Sequence, residues 1–375
     1  MSNNGYSISF CIVCMNRLHQ LKETLIKNIT DNANYEQLEF VVLNYNSEDG
    51  MDEWIRQELA SYIASGKVNY YYTREPQCFS HSHSKNVMFK LAKGDIVCNV
   101  NADHFTGVNY AEYINEVFKK DALSVLTTVD YFNTDKNYNP PSDVFGKVCV
   151  RKSDFLQVSG FDEHMTGYGF EDWDFINRLE LSGLKRILIK DRSFLNFIRH
   201  DKEERYSLKN INDQLGGILI NYRDASASNL MLLYNDGSFE KGTLIDCMAQ
   251  CSESFEYAYM EKPYKFENTL QQEDWQRGHW EELNDKIIFN PETKEADDWV
   301  LEKDDENNRL INIDNNDSFY YLQHEESINL IMEFKYLYKN RSVMEINLSK
   351  KIVKPNISYG KACVHKNFQE KPILI

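Results

Sequence analysis

The sequence predicts an α/β fold, a mainly parallel, Rossmann-like sheet with helices on both faces, followed by a smaller α+β accessory domain. Three observations predict it. Over the first two hundred residues, short apolar runs alternate with longer amphipathic segments. The apolar runs are apolar at consecutive positions, as strands buried on both faces require. From about residue 206 this alternation gives way to short strand-like runs and a DG turn. The expected division is therefore 1–205 and 206–375, with the role of the second part left open.

Each element follows in order. SISFCIV (7–13), LEFVVL (38–43), VNYYYT (68–73) and DIVCNV (95–100) read as four strands. HQLKETLIKNI, the stretch from Asp49 to Ala64, and SHSKNVMFKLA (82–92) read as the helices between them. Residues 170–182 read as a further helix and RSFLNFI (192–198) as a late strand. In the second part, NLMLLYNDGSFEKGTLI reads as a hairpin about Asp236 and Gly237. KIIFN, DDWVLEK, RLINID and FYYLQ read as short strands, and EESINLIMEFKYLYKN (325–340) as an amphipathic helix with Ile328, Ile331, Phe334 and Leu337 on one side.

Composition narrows the function. The chain has 375 residues, 42% hydrophobic and 27% charged, with a formal net charge of -16. That is a globular composition, and the acidic balance argues against non-specific nucleic-acid binding. The polar N-terminus lacks a basic and apolar leader, and no stretch reaches the roughly 18 apolar residues of a membrane span. These features give the expectation of a cytoplasmic protein, with peripheral contact at the inner face of the membrane left open. Eight scattered cysteines fit a reduced thiol inventory better than a disulfide framework, and the lone CIVC at 11–14 sits on a strand rather than in a zinc site.

In parallel α/β sheets, ligands bind beyond the carboxyl ends of the strands. The four tips read CMNR (14–17), NYNSEDG (44–50), TREPQCFSHSHSKN (73–86) and NADH (101–104). Each is polar, and each carries groups suited to a nucleotide, a phosphate or a metal.

The layout resembles a nucleotide-diphosphosugar glycosyltransferase of the type-A fold. NYNSEDG and NADH stand where family-two enzymes carry an acidic turn and an Asp-x-Asp motif. FSHSHSKNVMF (79–89), VFGKVCVRKSDFLQVSGF (144–161), GYGFEDWDFINRL (167–179) and IRHD (198–201) resemble, in the same order, segments of the beta-1,4-galactosyltransferase and chondroitin-synthase branch. The resemblance covers roughly residues 5–205. It implies a UDP-sugar donor, a saccharide or lipid-linked saccharide acceptor, and Mn2+ or Mg2+ held by Asp103 and His200, with His104 as an alternative ligand. It further implies Arg17, Asn44, Phe79, His81, Lys85, Asn101 and Gly146 on the donor side. Tyr168 and Glu171 fall on the acceptor side, with Asp172 as catalytic base. A single base without a protein nucleophile implies inversion at the anomeric carbon.

Three departures qualify the resemblance. Asn101 replaces the first acidic residue of the motif, Phe197 replaces a methionine ligand, and Asn44 replaces an aspartate on the base. Lys147 also replaces a glycine beside Gly146, a change expected to narrow the donor pocket or to contact a substituent of the sugar. Asn44 and Asn101 favour the alternative of a catalytically inactive nucleotide- or carbohydrate-binding protein. A nucleotidyltransferase is disfavoured because CMNRLHQ has no glycine-rich triphosphate loop.

The helix at 170–182 has its own physical reading. Asp172, Ile176 and Leu179 share one face, which places Asp172 at the head of a buried stripe, while Glu171, Asp174 and Arg178 fall on a more polar face. Acidic residues there would also serve the helix dipole. Aromatic residues at 254–280 suit either a core or an acceptor platform, and the C-terminal part is a candidate surface for oligomer contacts.

Overall fold

The computed structural model describes residues 5–129, 138–141, 144–199, 214–223, 227–245, 276–293 and 298–375. Two compact units emerge: 1–209 together with 340–375, and 210–339.

The first unit begins with β1 (Ile8–Cys14), α1 (Leu18–Asp31), β2 (Leu38–Tyr45), α2 (Met51–Glu58), α3 (Ala60–Ala64), β3 (Val68–Thr73), α4 (His81–Leu91) and β4 (Ile96–Asn99). It continues through α5 (Tyr110–Lys120), β5 (Ser124–Thr127), β6 (Val148–Arg151), α6 (Lys152–Gln157), α7 (Glu171–Leu181) and β7 (Lys185–Leu188). The predicted helix from Asp49 to Ala64 is thus two helices, divided where Leu59 leaves helical angles (φ -111°, ψ 8°).

The four predicted strands are present and their side chains divide between two cores. Phe10, Phe40 and Val42 join α1, α2 and α5 on one face. Cys11, Val41 and Leu43 join α4, α6 and α7 on the other. Period-two alternation puts successive residues on opposite faces, so an all-apolar strand needs helices on both.

The sheet departs from expectation in direction. β1 pairs parallel with β2 and β4, β2 with β3, and β5 with β7. β6 lies antiparallel between β4 and β5. The sheet is therefore mixed rather than mainly parallel. Because β6 runs backwards, its entry segment at 144–147 lies beside the exit of β4. RSFLNFI is not a strand: Arg192–Phe194 forms a 3-10 turn, and only an isolated bridge joins Phe197 to His104.

The second unit corrects the expected α+β domain. Its strands are β8 (Leu215–Tyr222), β9 (Ala227–Tyr234), β10 (Ser238–Ile245), β11 (Gln276–Leu283), β12 (Lys286–Pro291), β13 (Trp299–Asp304), β14 (Arg309–Asn312) and β15 (Ser318–Tyr321). They close into an eight-stranded barrel. The β9–β10 hairpin turns where predicted: Gly237 has φ 82°, and Asp236 Oδ1 accepts from Ser238 N at 2.9 Å. Phe239, Phe289, Trp299 and Leu301 fill the core, as an eight-stranded barrel's interior allows.

The helix α8 (Glu325–Ser349) extends well beyond the predicted 325–340, and the boundary between units falls within it. β16 (Cys363–Lys366) and β17 (Pro372–Leu374) follow. β16 pairs antiparallel with β3 and β17 with β16, lengthening the first unit's sheet. Residues 340–375 therefore belong to the first unit, not to a domain 206–375. The physical reason is an edge: β3 would otherwise leave a row of backbone groups unpaired. Among the described residues, no helix is long and apolar enough to cross a membrane.

Candidate active site

The first two strand tips are knitted together. Asn16 takes φ 55°, its backbone N donates to Ser47 Oγ at 3.0 Å, and its Oδ1 accepts from Glu48 N at 2.8 Å. Leu18 N donates to Asp49 Oδ2 at 2.8 Å. Arg17 lies between these contacts, half-buried at the start of α1. Asn44 is buried, donating to Asp52 Oδ1 at 2.8 Å and accepting from Ser47 N at 2.7 Å. Its amide thus helps to fix the turn. Asp52, which the sequence reading did not single out, also receives the Tyr70 hydroxyl and the Arg74 guanidinium. Its place in the first turn of α2 was the available signal.

From β2, a chain of rings leads to α7. Tyr45 meets Phe79 at 5.7 Å, Phe79 meets His81 at 4.8 Å, and His81 meets Tyr168 at 5.6 Å. All three are edge-to-face contacts, a favourable arrangement for aromatic quadrupoles. His81 Nδ1 stands 3.8 Å from Glu171 Oε1. Tyr168, at the end of this chain of rings, is 38% accessible.

Here the starts of α4 and α7 meet. Lys85 Nζ donates to Asp172 Oδ1 at 2.7 Å and to Glu171 Oε1 at 3.0 Å. All three side chains are buried. The resemblance put Lys85 on the donor side; its ammonium is instead engaged by two carboxylates. Burial opposes its charge, but Asp172 and Glu171 outweigh burial and hold it above the usual lysine range. Burial also works against ionised Glu171, yet Lys85 and His81 draw that carboxyl down to about 2. Asp172 moves the other way: burial first, and then repulsion by Glu171, push it up to about 6 against the pull of Lys85. One cation shared by two buried carboxylates leaves a net negative site.

The turn before α7 uses glycine's freedom, with φ 69° at Gly167 and 97° at Gly169. Phe170 also takes φ 66°, which a residue with a Cβ adopts only when its surroundings impose it. Asp172, Ile176 and Leu179 are buried as the stripe predicts. The supposed polar face is a correction: Glu171, Asp174 and Arg178 are buried too. Arg178 is neutralised by Asp174 at 2.6 Å and donates to the carbonyls of Val158 (2.9 Å) and Gly160 (2.7 Å). These partners remove the cost of burying its charge.

The second locus is the tip of β4. Asn99 Nδ2 donates to Asn101 Oδ1 at 3.0 Å and to Gly146 O at 2.8 Å. A Cβ added at Gly146 would lie 3.4 Å from both asparagine side chains, an ordinary van der Waals distance. Phe145, next to it, packs edge-on to Trp173 of α7 at 5.9 Å. Residues 145–146 thus touch both loci. Asp103 is buried, with its carboxylate 3.8 Å from His104 Nε2. Among the described residues, no group of three or more His, Cys, Asp or Glu side chains is gathered to hold a metal. His200 lies outside the described residues, as does the aromatic run from 254 to 275. Trp280 packs against the barrel core.

Lys147 does not narrow a pocket as expected. Its side chain is buried, donating to the carbonyls of Phe105 at 2.9 Å and Phe194 at 2.7 Å, and burial lowers its amine to about 7.

Residues 127–210 match a protein-family model described as the N-terminal domain of galactosyltransferase. That span contains β6, α6, α7 and β7, so the kinship with nucleotide-sugar glycosyltransferases read from the motifs is borne out there. Human (Homo sapiens) chondroitin sulfate synthase 3 is 42% identical over 59 residues, 16% of this chain and 7% of that protein. The same enzyme of Mus musculus is 46% identical over 41 residues, 11% of this chain and 5% of that one. The chain thus spans a small fraction of these curated relatives. Among solved structures, a mannosyltransferase from Pyrobaculum calidifontis in complex with GDP-Man and Mn2+ overlaps 50% of this chain and 56% of that one, at 18% identity and a TM-score of 0.41. S. aureus TarS with UDP-GlcNAc overlaps 54% and 61%, at 16% identity and a TM-score of 0.44.

Proposed function

We propose that this protein is an inverting, divalent-metal-dependent glycosyltransferase that moves a hexose or N-acetylhexosamine from a UDP-sugar to a saccharide hydroxyl, in the synthesis of a surface polysaccharide or glycoconjugate. The observation that carries the reading is the buried Lys85–Glu171–Asp172 cluster, whose two carboxylates lie within the residues that match the family model.

The acceptor hydroxyl must lose a proton as its oxygen attacks the anomeric carbon. Asp172 takes that proton. A carboxyl raised to about 6 is still mostly ionised at neutral pH, yet is a stronger base than a surface aspartate. Lys85 stays paired with Glu171 as Asp172 becomes neutral, so the cluster never holds an unpaired cation. Tyr168 offers its exposed face to the acceptor ring, and Glu171 orients its hydroxyls. On the donor side, Arg17, Phe79 and His81 surround the nucleotide, with Asn44 holding the turn beside it, and Asn101 and Gly146 meet the ribose and the sugar. Asp103, together with His200, would hold the cation. Carboxylate oxygen and imidazole suit Mn2+ or Mg2+, and such an ion would neutralise charge on the departing diphosphate.

The test is a panel of nucleotide sugars incubated with the purified chain and Mn2+, with release of nucleoside diphosphate monitored. One UDP-sugar should be cleaved, and chelation or Asp103→Ala should abolish the cleavage. A chain that neither cleaves nor binds any nucleotide sugar would sink the proposal.

A further inference from the structure

We infer that Asn340 is a positioning residue for the acceptor side of this site: it fixes the turn that presents Tyr168 and starts α7. The inference rests on the transferase reading above and deepens it, because it ties the acceptor subsite to a segment more than 160 residues away in sequence.

The turn at 166–170 needs outside support. Three of its residues have positive φ, including Phe170. Asn340 supplies the support from α8. Its Nδ2 donates to Gly169 O at 2.9 Å, Thr166 O at 3.0 Å and Tyr168 O at 3.3 Å. The side chain is buried, and its Oδ1 has no hydrogen-bond partner among the described residues. The amide orientation is therefore set by donation alone: reversed, it would press an oxygen against three carbonyl oxygens.

Two further asparagines extend the brace. Asn347 lies seven residues on, on the same helix face, and donates to Asp162 Oδ2 at 2.8 Å and Asp174 Oδ1 at 2.9 Å. Asn356 donates to Ser159 O at 2.9 Å and Phe161 O at 2.7 Å. Met344, between the first two, adds an apolar contact to the core. An apolar contact fixes proximity; directed hydrogen bonds fix geometry. None of the three asparagines is hydrogen-bonded to Glu171 or Asp172. Asn340 acts through the turn, and the turn carries Tyr168, whose ring meets His81.

The test compares Asn340→Asp, Asn340→Ala and Met344→Ala with the wild-type chain. Asn340→Asp is nearly isosteric but removes both donors and sets a negative charge against three carbonyls. Hydrogen exchange should quicken at residues 165–172 in Asn340→Asp and stay unchanged elsewhere. In assays with p-nitrophenyl glycosides as acceptors, the acceptor KM should rise about tenfold, the effect of losing roughly 1.4 kcal/mol of binding. Hydrolysis of the donor by water, which needs no acceptor, should change less than about twofold on that scale. Met344→Ala should lower thermal stability without moving the acceptor KM. The inference fails if exchange in the turn is unchanged, if donor hydrolysis and acceptor KM move together, or if Met344→Ala raises the acceptor KM equally. A wild-type chain that cleaves no nucleotide sugar would overturn the transferase reading and with it the acceptor role, while the exchange data would still decide whether Asn340 holds the turn.

Discussion

The two units of this chain bury different kinds of groups. The first buries Lys85, Asp103, Lys147, Asp154, Asp162, Glu171, Asp172, Asp174 and Arg178. Among the described residues of the second, no charged side chain is fully buried, and the buried polar residue is Asn221. The barrel core is a stack of rings and aliphatic side chains, with Phe289 on Trp299 at 4.2 Å. Buried charge is costly unless it is paired, and strongly shifted groups gather where chemistry is done. The barrel's interior is apolar, and its shifted groups, Tyr234, Glu240 and Lys335, lie together in one partly buried cluster. The contrast in buried charge sets the first unit apart and gives the interior of the second the energetics of a packed scaffold.

Experiments can break that contrast. The largest expected effect is on Asp172→Asn, which should lower transfer by about 10²–10⁴-fold, the range for a lost general base, while nucleotide binding measured by calorimetry is retained. In the wild type, kcat/KM should fall about tenfold per pH unit below about 6. The sign follows from the raised carboxyl, whose protonated form cannot accept the acceptor's proton. A flat profile from pH 5 to 8 would remove Asp172 from that role.

Next come two core changes of similar size and different origin. Lys85→Met strands two buried carboxylates and should cost about 3–5 kcal/mol of unfolding free energy at pH 8. The loss should shrink as pH falls and those carboxylates take up protons. Phe289→Ala should also cost about 3–5 kcal/mol, through cavity and transfer terms, but equally at every pH. Denaturant titrations at pH 5.5 and 8 separate the two, and equal pH dependence would erase the distinction between the units. The smallest effect belongs to the exposed Lys286–Glu302 pair on the barrel. Lys286→Ala should shift stability by less than about 0.5 kcal/mol, as surface pairs do.

Much of this was legible in the sequence, for physical reasons that also mark where legibility stops. All-apolar strands announced a sheet covered on both faces, and GYGFEDWDF announced a strained turn and a carboxylate-rich helix start. Strand direction is not written in composition, so VCVR gave no sign that β6 runs backwards. Barrel closure is a long-range pairing of strands that read singly as a loose sheet. Pairing partners were equally hidden: Lys85 reads as a helix-surface lysine until α7 is brought against it, and Arg178 as solvated until Asp174 and two carbonyls surround it. Asn340, Asn347 and Asn356 escaped notice because a buried asparagine and a solvated one are the same letter.

The return of residues 340–375 to the first unit has a consequence for how the molecule is made. Tyr70 N donates to Asn367 Oδ1 at 2.9 Å, and Asn367 N donates back to Tyr70 O at 2.8 Å, across a separation of 297 residues. The first unit is therefore not a prefix that a ribosome can release to fold alone. Its edge strand must wait while residues 210–339 emerge, on the order of 10 s at ordinary rates of synthesis. Until then β3 carries an open edge of the kind that templates aggregation. Whatever occupies that edge during synthesis governs the yield of folded protein as directly as any residue in its core.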